Sequence, residues 1–152
     1  DSQDGYLSGR IPHILPKLFA DLSRHTIFVA GSPEFVDSCV SAVTAQTHGH
    51  LVVTGSHGGV SAAHLALAHP PGLVVFNDAG IGLDAAGIAG LELLNDAGVA
   101  ACAVSHLSAR IGDAKSTLAT GKISALNERA KQLGLDVAES VAAVVARLTD
   151  EN

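Results

Sequence analysis

Three times along the chain a run of branched apolar residues gives way to a turn of small and polar residues. These stretches are 51-LVVTGSHGGVSAAH-64, 73-LVVFNDAGIGLD-84 and 100-AACAVSHLSARIGD-113. Continuous apolar runs bounded by glycine-rich turns read as strands buried on both faces. A fourth, 26-TIFVAG-31, precedes Ser32-Pro33, an N-cap followed by proline at the first helical position. Phe35, Val36, Cys39, Val40 and Val43 then share one stripe, which predicts helix 33–46. The pattern predicts strands at 26–30, 50–54, 72–77 and 99–104. It predicts helix 60–69, stopped by Pro70-Pro71, and helix 85–97, capped by Asp84 and ended by Gly98. A polar loop over 105–117 follows, then helix 120–133 with Ile123, Leu126 and Leu133 inward, ended by Gly134. Asp136 and Glu139 form a capping box for a last helix, 137–148, with Val137, Val141, Val144, Val145 and Leu148 facing the core. Residues 1–24, with Ile11-Pro12 and Leu15-Pro16, read as an arm or a short helix around 13–22.

The predicted strands start 22 to 27 residues apart with a helix in each gap, the spacing of βαβ units with right-handed crossovers. The expected fold class is therefore α/β: a doubly wound, flavodoxin-like or Rossmann-like, mainly parallel sheet with helices on both faces. All 152 residues fit one such domain.

Composition narrows the function classes. Apolar residues make up 47% of the chain, with no Trp, one Tyr and four Phe, so Val, Leu, Ile and Ala must build the core. A mean hydropathy of +0.34 is high for a small soluble monomer and points to a homo-oligomer. A net charge of −6 and nine scattered Lys and Arg argue against a nucleic-acid partner. Cys39 and Cys102 lie in apolar runs without a CxxC spacing, as reduced thiols of a cytoplasmic protein do. No apolar run reaches the roughly 18 residues of a membrane span, and the start DSQDGYLSGR does not read as a signal peptide.

In open parallel sheets, ligands bind beyond the carboxyl ends of the strands, where strand order reverses. Turns 31–33, 55–59, 77–84 and 105–117 are expected at that edge. The turn 55-GSHGG-59 opens a helix. Gly55, Ser56, Gly58 and Gly59 are read either as an anion cradle of backbone N–H groups or as glycines fitting a tight turn. His57 and His106 each follow a serine at a strand end, in the pairs Ser56-His57 and Ser105-His106. With Asp78 they form a candidate acid–base group, or alternatively a two-His, one-carboxylate metal site. In 76-FNDAGIGLD-84, Asn77, Asp78 and Asp84 offer polar contacts and Gly80 and Gly82 keep the backbone open; turn and cap roles are the alternative. In the 105–117 loop, Ser105, Ser108, Ser116 and Thr117 supply hydroxyls. Arg110 supplies a planar fork for a carboxylate or phosphate, unless it pairs with Asp113. Cys102, mid-strand, is read as core rather than as a nucleophile.

The run 4-DGYLSGRIPHILPKLFADLSRHTIFVAGSPEFVDSCVSAV-43 carries the motif 28-FVAGSPEFVD-37. Residues 4–45 thereby resemble the last part of the nicotinamide-binding domain of ferredoxin-reductase-type flavoprotein reductases. In that family a helix leads into a strand, a Gly-Pro turn and a further helix. The family's Cys-Gly-Pro turn stands here as Ala30-Gly31-Ser32-Pro33, and its flavin domain and first glycine-rich nucleotide turn are absent. The resemblance implies a related half-domain without reductase activity, and no redox cofactor is expected.

The sequence reading favours a small-molecule enzyme of hydrolase, lyase or isomerase type. His57, His106 and Asp78 would perform acid–base chemistry on a compact anionic or amide-bearing metabolite. The alternative is a non-catalytic nucleotide- or effector-binding module.

Overall fold

The computed structural model describes residues 27–29 and 50–150. The predicted arm, helix 33–46, turn 31–33 and almost all of the reductase-like stretch lie outside the described residues. Among the described residues five strands, β1 (Ile27–Val29), β2 (Leu51–His57), β3 (Leu73–Asn77), β4 (Ala100–Val104) and β5 (Ile123–Leu126), pair in chain order. The first four are parallel and β5 runs antiparallel to β4. The α/β class and the mainly parallel sheet are therefore present. The strand order is sequential, so no reversal point occurs among the described strands, and the doubly wound order expected from the sequence is not the one they adopt.

Every residue of β3 and β4 is buried, which follows from their central place in a sheet covered on both sides. Alternate side chains enter two cores. Val52, Val74, Phe76, Ala101 and Ala103 pack with Ala62, Ala63 and Ala66 of α1 (Val60–Ala68) and with Leu91 and Leu94 of α2 (Gly90–Asp96). Val53, Leu73, Val75, Cys102 and Val104 pack on the opposite face. Their partners include Leu118 of α3 (Ala114–Thr120), Ala130 of α4 (Glu128–Gln132), and Val141 and Val144 of α5 (Val141–Asp150). The alanines of α1 let it lie close to the sheet, the packing that a chain poor in aromatics requires.

The largest departure from the expected elements lies at 120–133. Ile123 and Leu126 are spaced for a helical stripe, but they belong to β5, and α4 begins only at Glu128. Asn127 decides the change. It is 6% exposed, and its amide group donates to Leu91 O and Val99 O and accepts from Ala101 N–H and Ala130 N–H. One side chain thus caps α4 while joining α2 to β4. Two further helices begin later than expected. Asp84 has φ 54° in a 3-10 turn at Leu83–Ala85 and caps nothing, so α2 starts at Gly90. Glu139 Oε2 accepts from Asp136 N–H as a capping box would, yet Ala138 is left-handed, and Ser140 Oγ accepts from Ala143 N–H where α5 starts.

Replacing Asn127 with Ala strands buried backbone groups of three elements at once. Asn127→Ala is expected to lower stability by about 3 kcal/mol in urea melts, because each unsatisfied buried group costs about 1–3 kcal/mol. A loss below about 1 kcal/mol would show that water replaces the side chain.

Candidate functional site

Both irregularities in strand pairing occur at the carboxyl-terminal edge. Four steps along β2, from Val53 to His57, lie against two steps of β3, from Val75 to Asn77. Thr54 covers the gap: its hydroxyl donates to Val75 O and accepts from Ser56 N–H. In the β4–β5 pair, Ala103 faces Ala125 while Val104 faces Ile123, which leaves Ser124 as the extra residue of a bulge. Bulges re-aim side chains, and this one sends Ser124 Oγ to Asp78 Oδ2 at 2.7 Å.

Asp78 follows β3 and is 3% exposed. Its Oδ1 accepts from Gly80 N–H (2.8 Å), His106 N–H (3.0 Å) and His106 Nδ1 (3.1 Å). Burial alone would push this carboxyl up. The hydrogen bonds from Ser124, Gly80 and both groups of His106 outweigh it and hold the pKa below the ordinary aspartate value. An ionised carboxylate only accepts, so Nδ1 of His106 carries a proton in this pair. The His106 side chain is 47% exposed, and Nε2 has no hydrogen bond to the described residues. The ring lies over the backbone of Gly80.

Asn77, fully buried, holds the loops behind this couple. Its Nδ2 donates to Ala109 O, its Oδ1 accepts from Ala79 N–H, and its carbonyl accepts from Gly58 N–H. Beyond His106 opens a cleft of about 440 Å³, lined by His106, Leu107, Ser108, Arg110, Asp113 and Ser116 among others. Arg110 is exposed and forms no ion pair among the described residues, with Asp113 or with any other carboxylate. Asp113 instead caps α3, its Oδ1 accepting from Ser116 N–H. Ser108 and Ser105 are structural here. Ser108 Oγ donates to Ser105 O and accepts from Lys122 N–H, while Ser105 Oγ accepts from Leu107 N–H.

The candidate residues therefore divide. Asp78, His106 and the Gly80 backbone come together, with Arg110, Asp113, Ser108 and Ser116 around the adjoining cleft. His57 lies apart from them: β3 separates its strand from that of His106, and its Nδ1 accepts from Gly59 N–H. Among the described residues no three His, Cys, Asp or Glu side chains are grouped closely enough to hold a metal ion, so the two-histidine metal arrangement is not assembled. The 55–59 turn does not form the expected anion cradle, because its donors are used internally: Ser56 N–H on Thr54, Gly58 N–H on Asn77 O and Gly59 N–H on His57. Gly55 serves close packing. A Cβ there would lie 2.3 Å from Asp113 N and 2.5 Å from the Gly112 carbonyl carbon. Gly82 and Asp84 sit in an exposed loop. Cys102 is core: burial, with a smaller contribution from the Glu139 charge, pushes its thiol up to about 12.

Sequence reasoning missed Ser124, because 120–133 reads as one helix and gives no reason to aim residue 124 at the strand tips. No protein-family model, curated protein or solved structure matches this chain. Among the described residues, no helix is long and apolar enough to cross a membrane.

The depressed pKa of Asp78 sets a pH dependence. Its folded pKa lies below the unfolded value near 3.9, so its stabilisation is fully present above that value and is lost as pH falls through the folded pKa. Asp78→Asn is expected to cost about 1.5–3 kcal/mol at neutral pH, the scale of hydrogen bonds to a charged group. The gap between variant and wild type should close on acidification below about pH 4. Urea melts across that range decide it; a gap that stays constant would mean the carboxylate charge contributes nothing.

Proposed function

We propose that the protein is a small-molecule enzyme of hydrolase, lyase or isomerase type, in which His106 is the acid–base group and Asp78 orients it. One observation carries the reading. A buried, ionised and fully hydrogen-bonded carboxylate faces Nδ1 of a half-exposed imidazole, whose Nε2 is free beside a cleft. That arrangement fixes the tautomer and ring orientation and leaves one nitrogen to take and return a proton. Asp78 stabilises the imidazolium formed when Nε2 takes the proton, without itself becoming protonated. Arg110, which forms no ion pair among the described residues, supports a compact substrate that carries an anionic group. Among the described residues no serine hydroxyl is hydrogen-bonded to Nε2, which favours proton transfer to the substrate or to water over a serine nucleophile.

The test is a turnover screen with small carboxylates, phosphate esters and amides on wild type and His106→Gln. General acid–base groups contribute about 10²–10⁴-fold. His106→Gln is expected to lose turnover by that order with its thermal midpoint nearly unchanged, since the side chain is half exposed. Full turnover in this variant would overturn the assignment.

Leu83 and Leu107 are each 86% exposed, and Ile111 is 56% exposed, in loops of the site edge. With the apolar composition, these residues support a homo-oligomer. Light scattering is expected to return a multiple of 15.3 kDa. A monomer mass at every concentration would refute it.

A further inference from the structure

The loop between His106 and α3 holds two opposite charges that do not meet. Arg110 and Asp113 are three residues apart and both line the cleft, yet no ion pair joins them. The backbone keeps each in place. Arg110 N–H donates to Ser116 Oγ at 3.0 Å, and Ser116 N–H donates to Asp113 Oδ1 at 3.0 Å, so one serine fixes both ends of the loop. Between them Gly112 N–H donates to Gly55 O, and the loop backbone packs against Gly55 with no room for a side chain there. The segment is thus pinned at Ser116 and at the bulge of β2.

Three groups of this wall have no partner among the described residues. They are the Arg110 guanidinium, the Ser116 hydroxyl proton and the second oxygen of Asp113, which caps α3 through Oδ1 alone. A dianionic phosphate would meet a single cation here, with the Asp113 carboxylate beside it. A ligand bearing both charges meets no such conflict. Resting on the reading of this cleft as a small-molecule site, we infer that the ligand is a zwitterion of the amino-acid class: its carboxylate lies on Arg110 and the Ser116 hydroxyl, and its ammonium on Asp113. The planar fork of arginine suits the carboxylate, and the free carboxylate oxygen of Asp113 suits the ammonium. The reacting part of such a ligand then faces His106, which lines the same cleft.

The experiment uses the whole chain and the common amino acids as probes, followed by amide shifts of residues 106–116 in NMR titrations. At least one amino acid is expected to shift these signals saturably. Its deaminated acid and its decarboxylated amine should each bind about tenfold or more weakly, the loss of about 1.4 kcal/mol of charge-assisted contact. Arg110→Gln and Asp113→Asn are each expected to weaken binding by a similar factor. Asn caps a helix as well as Asp does, so the thermal midpoint of Asp113→Asn should hold. His106→Gln should lose turnover but keep amino-acid binding. If no amino acid shifts the cleft signals, or if the deaminated acid binds equally well and Asp113→Asn has no effect, the inference falls whatever the fate of His106. If both charge variants weaken binding while His106→Gln keeps full turnover, the inference stands and the acid–base assignment falls.

Discussion

The edge of this sheet is built around one buried carboxylate. Moving an ionised Asp78 out of water is costly unless every part of its hydrogen-bonding capacity is used. The chain meets that demand with donors from three places: Gly80 from the turn just after β3, His106 from the end of β4, and Ser124 from β5. Removing any of these segments would leave the charge short of a partner. Asn77, one residue earlier, does the same for neutral groups, holding Ala79 and Ala109 with its side chain and Gly58 with its carbonyl. Together the two residues bind the ends of β2, β3 and β4 and the start of β5 to one point.

That demand explains the irregularities nearby. A regular antiparallel ladder would give every residue of β5 a paired partner; the bulge frees Ser124 to reach Asp78 Oδ2. After Asp78 the backbone is left-handed at Ala79 (φ 52°), at Gly80 (φ 75°) and again at Ile81 (φ 67°), and a β-branched residue there is strained. The strain has local compensation. Ala79 N–H reaches Asn77, Gly80 N–H reaches Asp78, and the Ile81 backbone is held by Asp78 O and Gly87 N–H. The tight turn also brings the Gly80 backbone beneath the His106 ring.

Much of this was legible in the residues, for identifiable reasons. The buried strands β2, β3 and β4 announce themselves because fully covered strands are continuous apolar runs, and the turns after them hold most of the polar chemistry. Asp78 and His106 stand at the ends of adjacent strands, so their meeting follows from parallel pairing alone. The rest depended on long-range terms. Ile123 and Leu126 are spaced for one face of a helix, and in a strand they reach the same core only because of the bulge at Ser124; Asn127, bonding to α2 and β4 far away in sequence, starts α4 only after them. Strand order decided the fate of His57: periodicity says nothing about which strand lies between two others, and β3 separates His57 from His106. The glycines of 55–59 look the same in a ligand cradle and in a tight packing contact. Only the position of Gly112 and Asp113 against Gly55 tells the two apart.

Energetics bears on the proposed chemical role of the Asp78–His106 couple. A buried charge held by several donors is seldom the most stable filling of its space, since an apolar side chain of similar volume commonly does as well or better. The His106 side chain supplies one of the four hydrogen bonds that offset that cost, and that side chain is itself about half exposed. Here the acceptor is fixed and dry while the ring is about half exposed, and Asp78 engages Nδ1 and leaves Nε2 without a hydrogen bond among the described residues. The cleft lined by His106 and Arg110 has room for a small molecule, which is what the proposed acid–base role requires.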